Sequence, residues 1–87
     1  MNSLTEAQNI GNTLALKLKS AGINNLQELK ESGSENAIIR IATIENSGAC
    51  LNMLYALEGA IQGIRWHNLK SERKLELNEF YNTFMKE

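Results

Sequence analysis

The chain has 87 residues, enough for one domain and too few for two. Its 9 basic and 10 acidic residues give a formal net charge of −1, whereas proteins that bind the DNA backbone usually carry a basic excess. One cysteine, Cys50, and one histidine, His67, exclude an internal disulfide and a four-ligand zinc site. We expect neither a metal nor a cofactor.

The apolar stretches predict no export signal and no membrane span. Residues 1–6 lack both a basic start and an apolar run. The most apolar stretch, residues 49–64, is interrupted by Asn52, Glu58 and Gln62. The sequence therefore predicts a cytoplasmic protein without a membrane contact.

Apolar spacing and capping residues predict an all-α domain. The predicted helices span about residues 4–8, 12–20, 26–32, 35–43 and 47–63, with a last helix that Ser71 caps. The absence of proline and the many strong helix formers agree with this. The β-branched residues of 35–43 leave a strand as the alternative there, but the apolar spacing favours a helix.

Local signals predict where three of these helices begin or end. Ser3 with Glu6, and Asn25 with Glu28, have the spacing of a capping box at a helix start. Gly22 suits the left-handed residue that ends the helix 12–20. The following Ile23 supplies the apolar contact of that motif.

The helix 47–63 is predicted to be the buried centre of the domain. One stripe consists of apolar residues at helical spacing: Cys50, Leu54, Leu57, Ile61 and Ile64. Small residues recur along it, which predicts the close approach of another helix: Ala56, Gly59, Ala60 and Gly63.

The last helix carries an apolar face: Leu77, Phe80, Tyr81 and Phe84. We interpret this face as part of the core. The alternative is that it docks a second copy of the chain.

Residues 9–29 have the layout of a helix-hairpin-helix motif. Asn9 tolerates and Gly11 permits a positive φ at the bend, and Ala15 leaves room for the first helix. The start of the following helix leaves free backbone amides that suit a phosphate. The candidate phosphate contacts are Ile10, Gly11, Asn12, Thr13 and Lys17. The alternative interpretation is a purely structural turn.

The sequence resembles the TfoX C-terminal domain family over about residues 4–77. The residues that carry the resemblance are Ile10-Gly11, Gly22-Ile23, Leu26, Leu29 and the long segment 50–67. The resemblance implies one domain over residues 1–87, with a compact five- to six-helix, SAM-like fold that contains the helix-hairpin-helix motif. It also implies a link to regulators of DNA uptake and competence. Asn9 departs from DNA-binding versions of the motif, which commonly have glycine there.

Four residues around the end of the helix 47–63 are candidate partner-binding or structural residues: Glu58, Arg65, Trp66 and His67. A buried Glu58 would need a partner, for which Arg65 and Arg40 are the candidates. Trp66 either anchors an interface or closes the core. His67 has no nucleophile beside it in the sequence, so we expect no enzyme and no small-molecule substrate.

These observations predict a non-catalytic binding module. The first hypothesis is a protein-interaction domain in bacterial regulation, of competence type by resemblance, with a protein partner or a second copy as ligand. The alternative is a weak DNA-binding module that contacts phosphates through the Ile10-Gly11 hairpin.

Overall fold

The computed structural model describes residues 4–44 and 49–84. They form five α-helices: α1 (Asn12–Ser20), α2 (Leu26–Ser32), α3 (Ser34–Ile44), α4 (Leu51–Gln62) and α5 (Ser71–Phe84). Single 3₁₀ turns occupy Leu4–Glu6 and Trp66–Asn68, and no strand occurs in the described ranges. The prediction of an all-α, five- to six-helix fold is confirmed, while the helix-hairpin-helix motif as such stays a prediction.

The helices α1 and α2 have the predicted bounds because their caps are local. Asn25 accepts a hydrogen bond from the Glu28 amide at 2.9 Å, and the Glu28 carboxylate accepts one from the Asn24 amide at 2.7 Å. Gly22 has a φ of 87°, and the amide of Ile23 bonds the carbonyl of Leu18 at 2.9 Å. Ile23 is buried, as the motif requires.

The first segment, α3 and α5 differ from their predicted bounds or caps. The first segment is a 3₁₀ turn over Leu4–Glu6 rather than an α-helix over 4–8. Helix α3 is one residue longer at each end than predicted, and its helical form excludes the strand alternative. Helix α5 begins at Ser71 itself, so Ser71 is its first residue and not its cap. The predicted capping residue Ser3 lies outside the described residues.

Helix α4 begins later than predicted, and this changes the position of Cys50. The described part of the helix starts at Leu51, with Cys50 as an exposed, extended N-cap residue. The prediction that Cys50 belongs to the buried stripe is therefore wrong. At the other end Gly63 takes a φ of 76°, and the Ile64 amide bonds the Gly59 carbonyl at 2.9 Å. The first two residues of the predicted helix, 47 and 48, lie outside the described ranges.

Helix α4 forms the centre of the domain and packs against α2, α3, α5 and the Trp66–Asn68 turn. The largest fully buried side chains come from every helix: Leu4, Leu18, Ile23, Leu29, Ile38, Ile41, Leu54, Leu57 and Leu77. On α5, Phe80 and Tyr81 pack against this core. Phe84 is 64% exposed, so the predicted core face of α5 is correct only over its first part.

The small residue Gly59 makes room for a turn and not for another helix. A Cβ atom at Gly59 would lie 2.5 Å from the Asn9 Nδ2 atom, 2.8 Å from the Ile64 carbonyl oxygen and 3.2 Å from the Trp66 Cα atom. The interpretation of this position as a helix–helix contact is therefore wrong. Gly11, by contrast, has nothing within 4 Å of such a Cβ atom, so close packing does not require it.

We predict that Gly59→Ala lowers the free energy of unfolding by about 2 kcal/mol, because overpacking against backbone atoms outweighs the gain in helix propensity. Urea denaturation followed by circular dichroism measures this change. Gly11→Ala is the matched control and should cost less than about 1 kcal/mol, the preference for glycine over alanine at an N-cap. Equal losses in the two variants would contradict the close approach at Gly59.

Candidate functional site

The side chain of Asn9 holds the hairpin against the end of α4. Asn9 has a positive φ of 71°, which glycine and asparagine adopt most readily. Its Nδ2 atom donates to the carbonyl oxygens of Ile64 at 2.9 Å and Ala56 at 3.4 Å. Its Oδ1 atom accepts from the Trp66 amide at 3.1 Å. Asn9, and not Gly11, takes the left-handed conformation that the bend requires.

This contact brings together two groups of candidate residues that the sequence separates. The hairpin lies directly against the turn that carries Trp66, 57 residues away in the chain. Sequence reasoning recognised that Asn9 tolerates a positive φ, but it missed the contact of its side chain. No local signal reveals that contact, because the acceptors are backbone groups of a distant segment.

The predicted phosphate contacts do not all face solvent. Ile10 is buried, and its amide donates to the Ala7 carbonyl at 3.5 Å. Gly11, Asn12 and Thr13 are exposed at the first turn of α1. The amides of a first helical turn have no partner within the helix. Phosphate binding there stays a prediction, but the Ile10 amide is already engaged.

Trp66 is half-buried and takes part in a ring cluster at the end of α4. Its ring stacks on Tyr55 at 5.9 Å and on His67 at 4.0 Å between centroids. The ammonium of Lys74 lies 5.6 Å from the ring centroid, within the range of a cation–π contact. Trp66 packs against the core, which fits its interpretation as a closing residue. His67 and Arg65 are exposed beside it.

Glu58 is buried within a cluster of polar side chains. Its Oε1 atom accepts from the Ser34 hydroxyl at 2.7 Å and from the Arg73 guanidinium at 3.2 Å. Its Oε2 atom accepts from the Gln62 amide at 2.7 Å. The prediction that Arg65 or Arg40 pairs with Glu58 is wrong, because Arg73 of α5 is the partner.

Arg73 joins three carboxylates that different parts of the chain supply. Besides Glu58 it bonds Glu76 at 3.0 Å and lies 3.7 Å from Glu35. Burial raises the pKa of Glu58, but hydrogen bonds from Arg73, Ser34 and Gln62 outweigh it and hold the pKa below the ordinary 4.5. The hydrogen bond to Glu58 in turn raises the pKa of Arg73. The arrangement keeps Glu58 ionised and ties α3, α4 and α5 together.

An apolar groove between α1 and α3 was not predicted from the sequence. It has a volume of about 500 Å³ and is lined by Thr13, Leu16, Lys17, Ser20, Ile41 and Ile44. Leu16 is 65% exposed and Ile44 is 58% exposed. Thr13 and Lys17, two of the predicted phosphate contacts, line this groove. We call it the α1–α3 groove.

A comparison with known families identifies the family of this chain. The pattern of the TfoX C-terminal domain family matches residues 1–81. This chain belongs to the TfoX C-terminal domain family. The family is one of regulatory domains rather than a known enzyme family. The resemblance inferred from Ile10-Gly11 and residues 50–67 is thereby confirmed.

Two solved structures are similar to this TfoX C-terminal domain. One is an uncharacterized protein from Listeria monocytogenes in a triclinic crystal form, with 47% identity, a TM-score of 0.91 and coverage of 95% of this chain and 92% of that chain. The other is a protein of unknown function from Listeria monocytogenes in a tetragonal form, with 48% identity, a TM-score of 0.89 and coverage of 92% and 98%. No curated protein matches the chain.

The described residues contain neither a cluster of metal-binding side chains nor a helix that could span a membrane. Across 4–44 and 49–84 no group of three or more His, Cys, Asp or Glu side chains is placed to hold a metal ion. No helix within these ranges has the length and apolar character to cross a membrane.

We predict that Asn9→Gly lowers the free energy of unfolding by about 2 kcal/mol, because glycine keeps the left-handed backbone but loses the side-chain hydrogen bonds. The fluorescence of Trp66, the only tryptophan, should shift to longer wavelength as the turn loosens. Urea titrations read by this fluorescence measure both effects. Asn24→Gly in an exposed loop is the control, with an expected loss below about 1 kcal/mol. An unshifted spectrum with unchanged stability in Asn9→Gly would contradict the contact.

We predict that Glu58→Gln costs about 2 kcal/mol at pH 7, because the hydrogen bonds to a charged and buried group are weakened. The pKa of Glu58 is lowered on folding, so its contribution is complete above the unfolded value of 4.5 and is lost as the pH falls through the lower folded value. The difference between wild type and Glu58→Gln should therefore shrink below pH 4.5.

The control for this experiment is Glu76→Gln, which removes another carboxylate bonded to Arg73. The Glu76 side chain is 64% exposed, and exposed pairs contribute less than about 1 kcal/mol. Thermal unfolding from pH 3 to pH 8 compares the variants. A loss in Glu58→Gln that does not change with pH would show that the charge of Glu58 contributes nothing.

Proposed function

We propose that this domain is a non-catalytic protein-interaction module of bacterial regulation, and that its docking surface is the α1–α3 groove. The observation that carries the proposal is the exposure of Leu16 and Ile44 on the two sides of one concave surface. Single exposed apolar residues are common and need no explanation, whereas two large ones on one concave surface form an apolar patch that a partner can cover.

The energetics of the groove favour a protein ligand. Covering a side chain of the size of leucine or isoleucine contributes about 1.5–3 kcal/mol of transfer free energy. The polar residues Thr13 and Ser20 lie in the same groove and offer hydroxyl groups for hydrogen bonds. An apolar centre with polar groups around it is the usual anatomy of a protein interface.

The positions of the chemically reactive side chains support a non-catalytic role. Cys50 precedes α4 and His67 follows it, with the 12 residues of the helix between them. Within the described residues no hydrogen bond joins the Cys50 thiol to the His67 ring, so the two do not form a nucleophile–base pair there. His67 stacks on Trp66 instead.

The second candidate function is weak DNA binding. The observation that favours it is the hydrogen bond from the Trp66 amide to Asn9: Asn9 precedes the exposed first turn of α1, and Trp66 lies between the exposed residues Arg65 and His67. Exposed amides and a nearby guanidinium suit a phosphate. The net charge of −1 favours the protein ligand over DNA. The role in competence-type regulation and the cytoplasmic location belong to the proposal through the family.

We predict that Leu16→Glu lowers the recovery of a specific partner at least tenfold, because a carboxylate in the groove removes apolar contact and must be desolvated. The immobilised domain is incubated with lysate of its own bacterium, and bound proteins are quantified by mass spectrometry. Leu75→Glu is the matched control, since Leu75 is 58% exposed but lies on α5 and does not line the groove.

A partner that binds wild type, Leu75→Glu and Leu16→Glu equally well would contradict the groove as its docking surface. The DNA alternative is tested with fluorescently labelled duplex DNA in low and high salt. Binding that falls steeply with salt, persists in Leu16→Glu and is lost in Arg65→Gln would favour DNA over the protein ligand.

A further inference from the structure

We infer that the α1–α3 groove takes an amphipathic helical segment with acidic flanks from a different protein. This inference rests on the proposed function and specifies the chemistry of its partner. The observation that carries it is the basic character of the two helices that line the groove: Lys17 is a lining residue, and Lys19 and Arg40 are exposed on the same two helices.

The described helices α1 and α3 carry a single acidic residue between them. Helix α1 contains none, and the only one in α3 is Glu35 in its first turn. Glu35 lies 3.7 Å from Arg73 of α5 and does not line the groove. Arg40 is four residues before Ile44, so the two side chains share a face of α3. Lys19 follows Leu16 by three residues, so these two side chains also share a face, and each of the exposed lining residues Leu16 and Ile44 has an exposed basic residue beside it on its helix.

The helix dipole explains the positions of only some of these basic residues. Lys17 and Lys19 lie in the last turn of α1, where basic residues interact favourably with the helix dipole. Arg40 does not lie in the last turn of α3, so the dipole does not explain it. Nor does Arg40 pair with Glu58, which bonds Arg73. A partner with carboxylates beside its apolar residues gives Arg40 and Lys19 a common role.

The same charges disfavour a symmetric dimer through the groove. In a two-fold dimer the groove of one copy would face the groove of the other, because such an interface joins identical surfaces. Lys19 and Arg40 of one copy would then share the interface with Lys19 and Arg40 of the other, and like charges repel. A ligand with an apolar stripe and glutamate or aspartate flanks has the complementary pattern. Its apolar residues would follow helical spacing to contact Leu16 and Ile44 together.

The experiment selects ligands without assuming a natural partner. A yeast-display library of random 16-residue segments is sorted against the whole chain, and clones that also bind the Leu16→Glu chain are discarded. We expect enriched segments with net negative charge and apolar residues at helical spacing. The consensus peptide, labelled with a fluorophore, is then titrated with each variant and followed by anisotropy.

The charge reversals Lys19→Glu and Arg40→Glu, combined in one chain, should weaken this peptide about tenfold, as expected for two ion pairs at the edge of an interface. The matched control combines Lys30→Glu and Lys70→Glu, which reverse exposed charges outside the groove and should leave affinity unchanged. Glu45→Gln removes the acidic residue that follows Ile44 in the sequence and should not weaken binding.

Other outcomes separate this inference from the proposed function. Enriched segments that are neutral or basic but need Leu16 would overturn the acidic partner and leave the groove as a docking surface. Failure to enrich any segment that needs Leu16 would count against both. A second copy would be the occupant if light scattering shows self-association that Leu16→Glu abolishes. Nucleic acid would be the occupant if duplex DNA binds in a salt-sensitive way and Lys19→Glu with Arg40→Glu abolishes that binding. Either result would overturn the inference.

Discussion

The side-chain amide of Asn9 is the contact on which the arrangement of this domain depends. It bonds the carbonyl of Ile64, where α4 has just ended, and the amide of Trp66 in the next turn. Gly59 lets the amide approach, since any Cβ atom there would overlap it. The hairpin, the end of α4 and the ring cluster of Trp66 are therefore fixed relative to one another. Because α1 follows the hairpin directly, the same contact fixes the residue from which α1 starts, and α1 packs against α3 and lines the α1–α3 groove.

The use of asparagine at this position also bears on the choice between the two functions. A glycine at the bend of a helix-hairpin-helix motif supplies a left-handed backbone and nothing more. Asn9 adopts the same backbone with a side chain that satisfies three backbone groups of the domain. The hairpin thus contributes to folding stability, an internal role that DNA binding does not require. The scaffold keeps its shape while the surface next to it is available for another ligand.

The sequence could predict the features that residues within one helical turn determine. It could not predict those that depend on residues far apart in the chain. The bounds of α1 and α2 were predicted because Gly22, Asn25 and Glu28 act on residues within one turn. The partner of Glu58 was predicted wrongly because Arg73 is 15 residues away and reaches it only after α5 has packed on α4. Cys50 was placed in the core because apolar character gives no sign of where a helix starts. The α1–α3 groove was missed because Leu16 and Ile44 belong to amphipathic helices whose relative position no local pattern specifies.

The two candidate ligand surfaces share one residue, Thr13, so a ligand on one surface would affect binding at the other. Thr13 belongs to the exposed first turn of α1 and also lines the α1–α3 groove, so a segment bound along the groove would cover the amides that suit a phosphate. Protein binding and phosphate binding at these places would therefore compete rather than coexist. The groove offers large apolar side chains together with Lys17, whereas the first turn offers backbone amides on a chain of net charge −1. Apolar contact does not depend on a basic excess, but attraction to a phosphate backbone does. The protein ligand is thus the one that both the shape and the charge of this domain favour.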